Sequence, residues 1–396
     1  MIVLLVLWFL FQFAIGFNLV FPGLLYLLWN ITNKAKESRS SPYDPDFAII
    51  VTAYQYINTL PGVVESLLAL NYNNYLVYIV ADNCDIETLN FDSDKVIVLR
   101  PPEVLGSNTK SHAYAIANFK RNHEFLTIID SDNLADSNYL VQLNQSFSEG
   151  YDAVQGLRAA KNLNSTIACL DAARDIYYHF YDGKLLFETG SSATLSGSGM
   201  AFNCQLYKDF LLENDVRGAG FDKVLQAWIL KKDSRIAFNG NAIVYDEKTS
   251  KSEQLVQQRS RWINTWFKYF LLGFDILFLG IKNFSKNQVL FGMVLLRPPL
   301  FIFLFLSIVF ILINLFTGFA IIALIWVIGL SVFITFFTIA LLSSGTDKRI
   351  YSSLVNIPQF VFYQISSLLK SRNANKISVA TKHYDVKKPE LTKKQL

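Results

Sequence analysis

The chain has 396 residues, of which 52% are hydrophobic and 17% charged, and its formal net charge is +4. These values are too apolar for an ordinary soluble enzyme and too polar for a pure transporter. The positive excess flanks apolar segments, at Lys34, Lys36 and Arg39 and again at 387–394. It therefore indicates a lipid bilayer as partner and no nucleic acid. Three widely spaced cysteines give no disulfide or zinc pattern, which favours a reducing compartment.

Residues 1–30 are predicted to form a transmembrane helix. They are nearly free of charge and long enough to cross about 30 Å of hydrocarbon. A secretory signal peptide is the alternative, but the run is too long for its apolar region and ends at Trp29-Asn30 without a small-residue cleavage site. We expect a retained span, bent near Pro22-Gly23.

Residues 45–262 are predicted to form an α/β domain with a mostly parallel sheet. Short apolar runs alternate with amphipathic stretches, the pattern of parallel strands covered by helices. The predicted strands are 47–51, 76–81, 95–99 and 125–130, and the predicted helices lie near 62–70, 111–121 and 136–148. Ligands bind beyond the carboxyl ends of such strands. Those ends carry Thr52-Ala53-Tyr54, Asp82-Asn83 and Asp130-Ser131-Asp132.

The chain becomes apolar again after residue 262. In the region 263–290 the apolar run 267–281 is short for a full crossing and contains Asp275, so an interfacial helix region is expected. Residues 296–343 predict two spans with an uncharged turn, and short charge-free turns favour the non-cytoplasmic side. The domain is thus expected in the cytoplasm, in a multi-pass protein of the cell membrane. Residues 351–370 are predicted to be an amphipathic interfacial helix, and 371–396 a basic tail.

Two acidic positions suggest metal and phosphate chemistry. Asp130 and Asp132 occupy alternate positions, so both can face one side and hold a hard metal ion together with substrate phosphates. A strand-end turn or helix cap explains them equally well. Lys110 opens a predicted helix after Gly106, where a phosphate could bind, although the spacing excludes a P-loop.

Three further segments have both a functional and a structural interpretation. Gln258, Arg261 and Trp262 share a helix face, where arginine can clamp a diphosphate and tryptophan can stack on a sugar. The same face could instead be an interfacial anchor. Asp222 opens a helix and could be only a cap. The run Ser-Gly-Ser-Gly at 196–199 suits a close approach of backbone to ligand, or a turn.

Taken in order, these segments resemble the membrane-bound family 2 glycosyltransferases, which include cellulose, chitin, hyaluronan and poly-N-acetylglucosamine synthases and ceramide glucosyltransferase-like enzymes. The resemblance covers about residues 45–270, and the full match to QxxRW at 258–262 is its most specific part. It implies a glycosyltransferase-A fold domain between transmembrane helices. It also implies inverting transfer from a UDP-sugar to a carbohydrate or lipid acceptor.

The resemblance also implies a role for each matching residue. Asp222 would be the catalytic base, and Asp132 would hold Mg²⁺ or Mn²⁺. Trp262, Ser198 and Gly199 would bind the acceptor. The donor would be bound by Thr52, Ala53, Tyr54, Asp82, Lys110, Asp130, Gln258 and Arg261. The family usually has glutamate before the base, whereas this chain has Phe221.

Polysaccharide synthesis is the first functional prediction, because QxxRW is typical of enzymes that extend polymers. The three predicted crossings are few helices to enclose a channel for a growing polymer. Transfer of a single sugar to a lipid is therefore ranked second, by a small margin. An oligomer or an accessory subunit could supply further helices. A non-catalytic membrane scaffold with a degenerate transferase domain is the alternative from another class, and Phe221 favours it.

Overall fold

The computed structural model describes residues 2–32, 43–87, 89–216 and 218–374. The basic flank at Lys34, Lys36 and Arg39, and residues 375–396 of the predicted tail, lie outside the described residues. A long helix precedes an α/β domain, and further helices follow it. The strands are β1 (Phe47–Tyr54), β2 (Tyr75–Asp82), β3 (Val96–Leu99), β4 (Phe125–Asp130), β5 (Leu134–Ala135), β6 (Ala153–Ala160), β7 (Met200–Asn203) and β8 (Ile236–Asp246).

Most helices of the domain lie between strands, and the remaining ones follow the sheet. The first eight are α1 (Ile2–Thr32), α2 (Leu60–Leu68), α3 (Asn108–Ala117), α4 (Tyr139–Ser148), α5 (Thr166–Tyr178), α6 (Leu186–Glu188), α7 (Cys204–Glu213) and α8 (Phe221–Lys231). A π-helical segment, His179–Leu185, joins α5 to α6. The others are α9 (Ser252–Tyr269), α10 (Leu272–Asn283), α11 (Lys286–Leu296), α12 (Leu300–Phe316), α13 (Ala320–Ser343), α14 (Lys348–Ser353) and α15 (Ile357–Lys370).

The sheet is mixed, with mostly parallel strands in the order β3-β2-β1-β4-β7-β6-β8-β5. The first four neighbours are parallel, and β7 pairs antiparallel to both β4 and β6. Tyr54 pairs with Asp82, and Thr52 pairs with Asp130, so the predicted strand ends do meet at one edge. The predicted α/β glycosyltransferase-A-like fold is confirmed.

The two faces of the sheet pack against different partners. Alternate residues of β1 point to opposite sides, as the pleat requires. Ile49 lies in a core with α2 and α4 on one face. Ile50 lies in a second core with Tyr177 of α5, which extends without a break to Phe333 of α13. The domain therefore shares one of its hydrophobic cores with the apolar helices.

Two helices are long and apolar enough to cross a membrane, α1 and α13. The predicted span at 299–315 corresponds to α12, which has 17 residues and is joined to α11 with a bend of 68°. The described residues contain a third candidate span only if α11 and α12 together are counted as a single, broken span. Gln12 Oε1 accepts hydrogen bonds from Asn314 Nδ2 and Trp326 Nε1, both at 2.8 Å, which joins α1, α12 and α13.

The helices after the sheet pack on one another and on the domain. In the α10–α11 hairpin, a Cβ atom at Gly292 would lie 2.7 Å from the backbone nitrogen of Leu277, so the close approach requires glycine. Ser260 of α9 donates to the carbonyl of Ser367 in α15, at 3.0 Å. The predicted interfacial positions of 263–290 and 351–370 stay predictions, as does the cytoplasmic side of the domain.

Candidate active site

A cavity of about 700 Å³ opens beyond the carboxyl ends of β1, β2 and β4 and extends along α9. It is lined by ten of the thirteen predicted site residues, namely Thr52, Ala53, Tyr54, Asp82, Asp130, Asp132, Asp222, Gln258, Arg261 and Trp262. Lys110, Ser198 and Gly199 do not contribute to its wall. The strand ends and α9 were predicted from separate segments, and the fold brings them together.

Asp82 is buried and holds the loop that precedes α3. Its two carboxylate oxygens accept hydrogen bonds from the backbone N–H groups of Leu105 (2.9 Å) and Gly106 (2.8 Å). The first turn of α3 then presents Asn108 to the cavity, while Lys110 is exposed on another side of the helix. Residues two positions apart in a helix are rotated by about 200° around its axis, which accounts for this difference.

Hydrogen bonds through Ser198 hold the loop 130–132 in place. The backbone N–H of Asp130 donates to Ser198 Oγ at 3.1 Å, and Ser198 Oγ donates to Asn133 at 3.3 Å. Ser198 is fully buried, so in this structure it braces the loop and does not face the cavity. Gly199 has φ +65°, and a Cβ atom there would lie 2.8 Å from Val244, so Gly199 is required for packing.

Carboxylates suited to a divalent metal lie beside this loop. Asp132 is buried and Asp130 is half-buried, and both line the cavity. In the part of the chain that the structure describes, no group of three or more His, Cys, Asp or Glu side chains could hold a metal ion. A metal bound here would need oxygen ligands from substrate phosphates, which is usual for Mg²⁺. The pair fits a substrate-completed metal shell.

Asp222 lies in the first turn of α8, at the cavity wall. Lys223 Nζ lies 3.3 Å from Asp222 Oδ2 and donates to the carbonyl oxygen of Leu195 at 3.2 Å. Gly220 precedes the helix with φ +95°, and a Cβ atom there would lie 2.5 Å from Thr265 of α9. The beginning of α8 is thus fixed against α9.

Phe221 belongs to the core behind Asp222. Its side chain is buried, and its ring meets the imidazole of His112 edge-on, with the centroids 5.3 Å apart. Burial lowers the pKa of His112 to about 3, so the ring stays neutral, and its Nδ1 shares a hydrogen bond with the Tyr207 hydroxyl at 2.7 Å. The residue that replaces the usual glutamate is therefore accommodated among uncharged neighbours.

The predicted face of α9 is present, and Arg259 adds to it. Trp262 is 41% exposed, and the guanidinium groups of Arg259 and Arg174 lie 3.9 Å and 4.8 Å from its ring centroid. Gln258 accepts a hydrogen bond from Thr249 Oγ1 at 3.3 Å. Burial lowers the pKa of Arg261.

A buried group of charged residues, here called the charge cluster, was not predicted. It consists of Arg158, Arg174, Lys248 and Arg259 with Asp171, Asp175 and Asp246. Arg158 lies 2.9 Å and Lys248 2.7 Å from Asp246. Burial alone would raise the pKa of Asp246, but these two cations hold it well below its usual range. The seven residues come from β6, α5, β8, α9 and the β8–α9 loop, so no local sequence spacing indicates them.

The family model described as "Glycosyltransferase like family 2" matches residues 45–265. The chain belongs to this family. The matched region of this glycosyltransferase family 2 protein contains every cavity residue that was predicted from the sequence.

Two solved structures of glycosyltransferases are similar to this chain to different degrees. One is the mannosyltransferase PcManGT from Pyrobaculum calidifontis in complex with GDP-Man and Mn²⁺, with a TM-score of 0.54 and 13% identity over 90% of this chain and 98% of that chain. Another is S. aureus TarS 1-349 in complex with UDP-GlcNAc, with a TM-score of 0.40 and 15% identity over 84% of this chain and 90% of that chain. Comparison with curated proteins gave no match. At 13% identity the similarity to the mannosyltransferase shows a shared fold and nothing about function. The TM-score of 0.40 for TarS is too low to show a shared fold.

Proposed function

We propose that this family 2 protein is an inverting glycosyltransferase that uses a UDP-sugar at the cytoplasmic face of the cell membrane. The observation that carries the proposal is the cavity itself. Its wall combines the carboxylates of Asp130 and Asp132 at the strand ends with Asp222 and with Arg261 of α9. Sugar transfer requires a base for the acceptor and positive charge for a leaving diphosphate. Asp222 can supply the base, Arg261 can supply positive charge, and the carboxylates of the strand ends can hold a metal ion.

In this mechanism Asp222 removes the proton of an acceptor hydroxyl. The hydroxyl oxygen bonds to the anomeric carbon from the side opposite the diphosphate, and the bond from that carbon to the diphosphate oxygen breaks. Its electron pair leaves with UDP, and Arg261 stabilises the added charge. A Mg²⁺ or Mn²⁺ ion held by Asp132 would supply further positive charge there. Thr52, Ala53, Tyr54, Asp82, Asp130 and Gln258 are assigned to the donor.

A lipid acceptor is favoured by the apolar part of the cavity wall. This part includes Trp266 of α9, Leu295 of α11 and Leu300 of α12, together with Phe270 and Pro298 from the turns between helices. An acceptor with a hydrocarbon chain can enter along this wall, because burying apolar surface stabilises it there.

Extension of a polysaccharide is the second candidate. Gln258, Arg261 and Trp262 face the cavity together, as the QxxRW pattern of polymer-extending enzymes predicts. The length of the product made by the purified protein separates the candidates. A lipid carrying one sugar supports the first, and a carbohydrate ladder supports the second.

The Asp222→Asn variant tests the base. We expect the release of UDP or GDP from a panel of UDP- and GDP-sugars to identify the donor. With that donor we expect Asp222→Asn to reduce kcat at least about a hundredfold, the usual contribution of a general base. The matched control is Asp94→Asn, an exposed aspartate before β3, which should keep the activity of the unaltered protein.

Two outcomes contradict parts of the proposal. Unchanged turnover in Asp222→Asn would remove this residue from catalysis. Absence of UDP or GDP release by the unaltered protein, with every donor and with Mg²⁺ or Mn²⁺ present, would favour the non-catalytic scaffold.

A further inference from the structure

The indole of Trp262 lies against two arginines of the charge cluster. Trp262 is 41% exposed at the cavity wall, and a side chain this exposed keeps one rotamer only where contacts offset the entropy of the others. The guanidinium carbon of Arg259 lies 3.9 Å and that of Arg174 4.8 Å from the centroid of the ring. A guanidinium at such a distance attracts the π-electrons of an indole. The position of Trp262 therefore depends on the side chains that hold these two arginines.

Helix geometry explains why Arg259 meets Trp262. The two residues are three positions apart in α9, and helical side chains lean towards the N-terminus, so the indole lies back over the guanidinium. One turn before Arg259, Leu255 belongs to the same small hydrophobic core as Leu170 of α5. The side chains that join α9 to α5 are therefore an apolar pair and, one turn later, the buried Arg259 with its partner on α5.

That partner is Asp171, a buried carboxylate between the two arginines. Its Oδ1 accepts a hydrogen bond from Nη2 of Arg259 and lies 3.4 Å from Nη2 of Arg174. Burial and the charge of Arg174 lower the pKa of Arg259 to about 10, so this guanidinium stays charged at neutral pH. Arg174 has a second partner in Asp175. Asp171 is thus the counter-ion on which Arg259 depends.

The effect of Asp171 on a substrate has to pass through the residues that it holds. Arg259 and Trp262 line the cavity, whereas Asp171 is not part of its wall. A molecule in the cavity therefore meets the indole and not the carboxylate. A large aromatic ring in a fixed position offers such a molecule contact area without a further loss of side-chain entropy on binding.

We propose that Asp171 is a positioning residue for the acceptor, because it holds Arg259 and through Arg259 fixes the indole of Trp262 at the cavity wall. The fixed ring suits an apolar surface of the acceptor, such as the hydrophobic side of a sugar ring or a hydrocarbon chain. The assignment of Trp262 to the acceptor rests on the proposed function, whereas the positioning of its ring does not. Asp171 takes no part in making or breaking bonds.

Fluorine NMR of the purified full chain in amphipol reports on the position of the ring. The chain is labelled with 5-fluorotryptophan at its six tryptophans, and the signal that is missing in Trp262→Phe belongs to Trp262. We expect Asp171→Asn to shift or broaden this signal, because the neutral amide no longer compensates the buried charge of Arg259. The signals of the tryptophans in α1, α8 and α13 should keep their positions.

The matched control is Asp182→Asn. Asp182 is also a buried carboxylate paired with a buried arginine, but its partner is Arg297, which follows α11, and not a residue of α9. Its loss should lower the unfolding midpoint and leave the Trp262 signal unchanged. If Asp171→Asn does not fold, Arg259→Lys replaces it. Lysine can still meet Asp171 but cannot lie flat on the indole, so the Trp262 signal should move.

A double-mutant cycle tests whether Asp171 acts on the acceptor through Trp262. Membranes of the organism that makes the protein supply the acceptor, and the measured quantity is the ratio of sugar transferred to sugar released by hydrolysis of the donor. We expect Trp262→Ala and Asp171→Asn each to lower this ratio about fivefold or more. In the Trp262→Ala background, Asp171→Asn should lower it by less than about twofold.

Two results would overturn this role of Asp171. An unchanged Trp262 signal in Asp171→Asn, or in Arg259→Lys where that variant is used, would mean that the ion pair does not fix the ring. Equal effects of Asp171→Asn on the transfer ratio with and without Trp262 would mean that Asp171 acts elsewhere. If the unaltered protein transfers no sugar, the proposed function fails, and the fluorine signals still decide whether Asp171 positions Trp262.

Discussion

Lys223 connects the candidate base to a loop that lines the cavity. Its ammonium group lies 3.3 Å from Asp222 Oδ2 and donates to the carbonyl of Leu195 at 3.2 Å. The carboxylate is therefore directed by a side chain that is itself anchored to backbone. A base must meet the acceptor hydroxyl at hydrogen-bond distance, so this anchoring bears on the rate of the chemical step.

We expect Lys223→Met to lower kcat about tenfold, or ~1.4 kcal/mol in the activation barrier, with little change in KM for the donor. Lys223→Arg keeps both contacts within reach and should remain within about threefold of the unaltered enzyme. Steady-state kinetics of the two variants check this. A change in donor KM with kcat preserved would place Lys223 on the donor instead.

Residues at strand ends could be predicted because a local pattern indicates them, whereas the charge cluster could not. Asp82 and Asp130 follow apolar runs, and parallel pairing brings their strand ends to one edge. Arg158 and Arg259 are 101 positions apart in the sequence and meet only through the fold. Lys110 shows the converse limit, since a residue near a predicted helix start can face any side of that helix.

At the scale of elements, the contact between α8 and α9 fixes the position of Asp222, the proposed base. Gly220 has φ +95° and leaves no room for a side chain beside Thr265 and Tyr269 of α9. Gly218, two residues earlier, also has a positive φ, of +77°, but a Cβ atom there would meet no other atom within 4 Å. The two glycines share the conformational requirement and differ in packing.

We expect Gly218→Ala to cost roughly 1–2 kcal/mol of stability from the left-handed backbone alone. Gly220→Ala adds overpacking of about 1–3 kcal/mol, displaces the beginning of α8 and should lower kcat about tenfold or more. Unfolding midpoints and kcat of both variants measure the difference. Equal kcat values would show that the α8–α9 contact does not position Asp222.

Elements were predictable to different degrees for physical reasons. The runs that became β1, β2 and β4 are continuously apolar because both faces of these central strands are covered. The later strands β6, β7 and β8 were not predicted. Strands β6 and β8 mix polar residues such as Gln155 and Asp246 with apolar ones, because they line the cavity. Strand β7 has only four residues, which is too short for a clear pattern. The overall α/β class followed from the first group, and the mixed half of the sheet did not.

The whole molecule combines the domain with α1 and α13, which are both long and apolar enough to cross a membrane. The side of the membrane on which the domain lies is a prediction, which single cysteines can test. The three native cysteines, Cys84, Cys169 and Cys204, are buried, so they give little background labelling.

We expect Thr317→Cys, in the exposed turn between α12 and α13, to react with an impermeant maleimide in intact cells. Asp92→Cys, exposed on the domain, should react only in inside-out vesicles. The reverse pattern would place the catalytic domain outside the cytoplasm and contradict the assigned localisation. Labelling of both in intact cells would be inconsistent with any hairpin formed by α12 and α13.

The hydrogen bond between Gln12 and Asn314 joins residues 302 positions apart, and Gln12 accepts from Trp326 as well. A ribosome makes the chain from its N-terminus, so the amide of Gln12 emerges long before either partner exists. During that interval the entire glycosyltransferase domain is synthesised. The apolar helices can reach their final arrangement only near the end of translation, which makes biogenesis of this protein sensitive to truncation anywhere before α13.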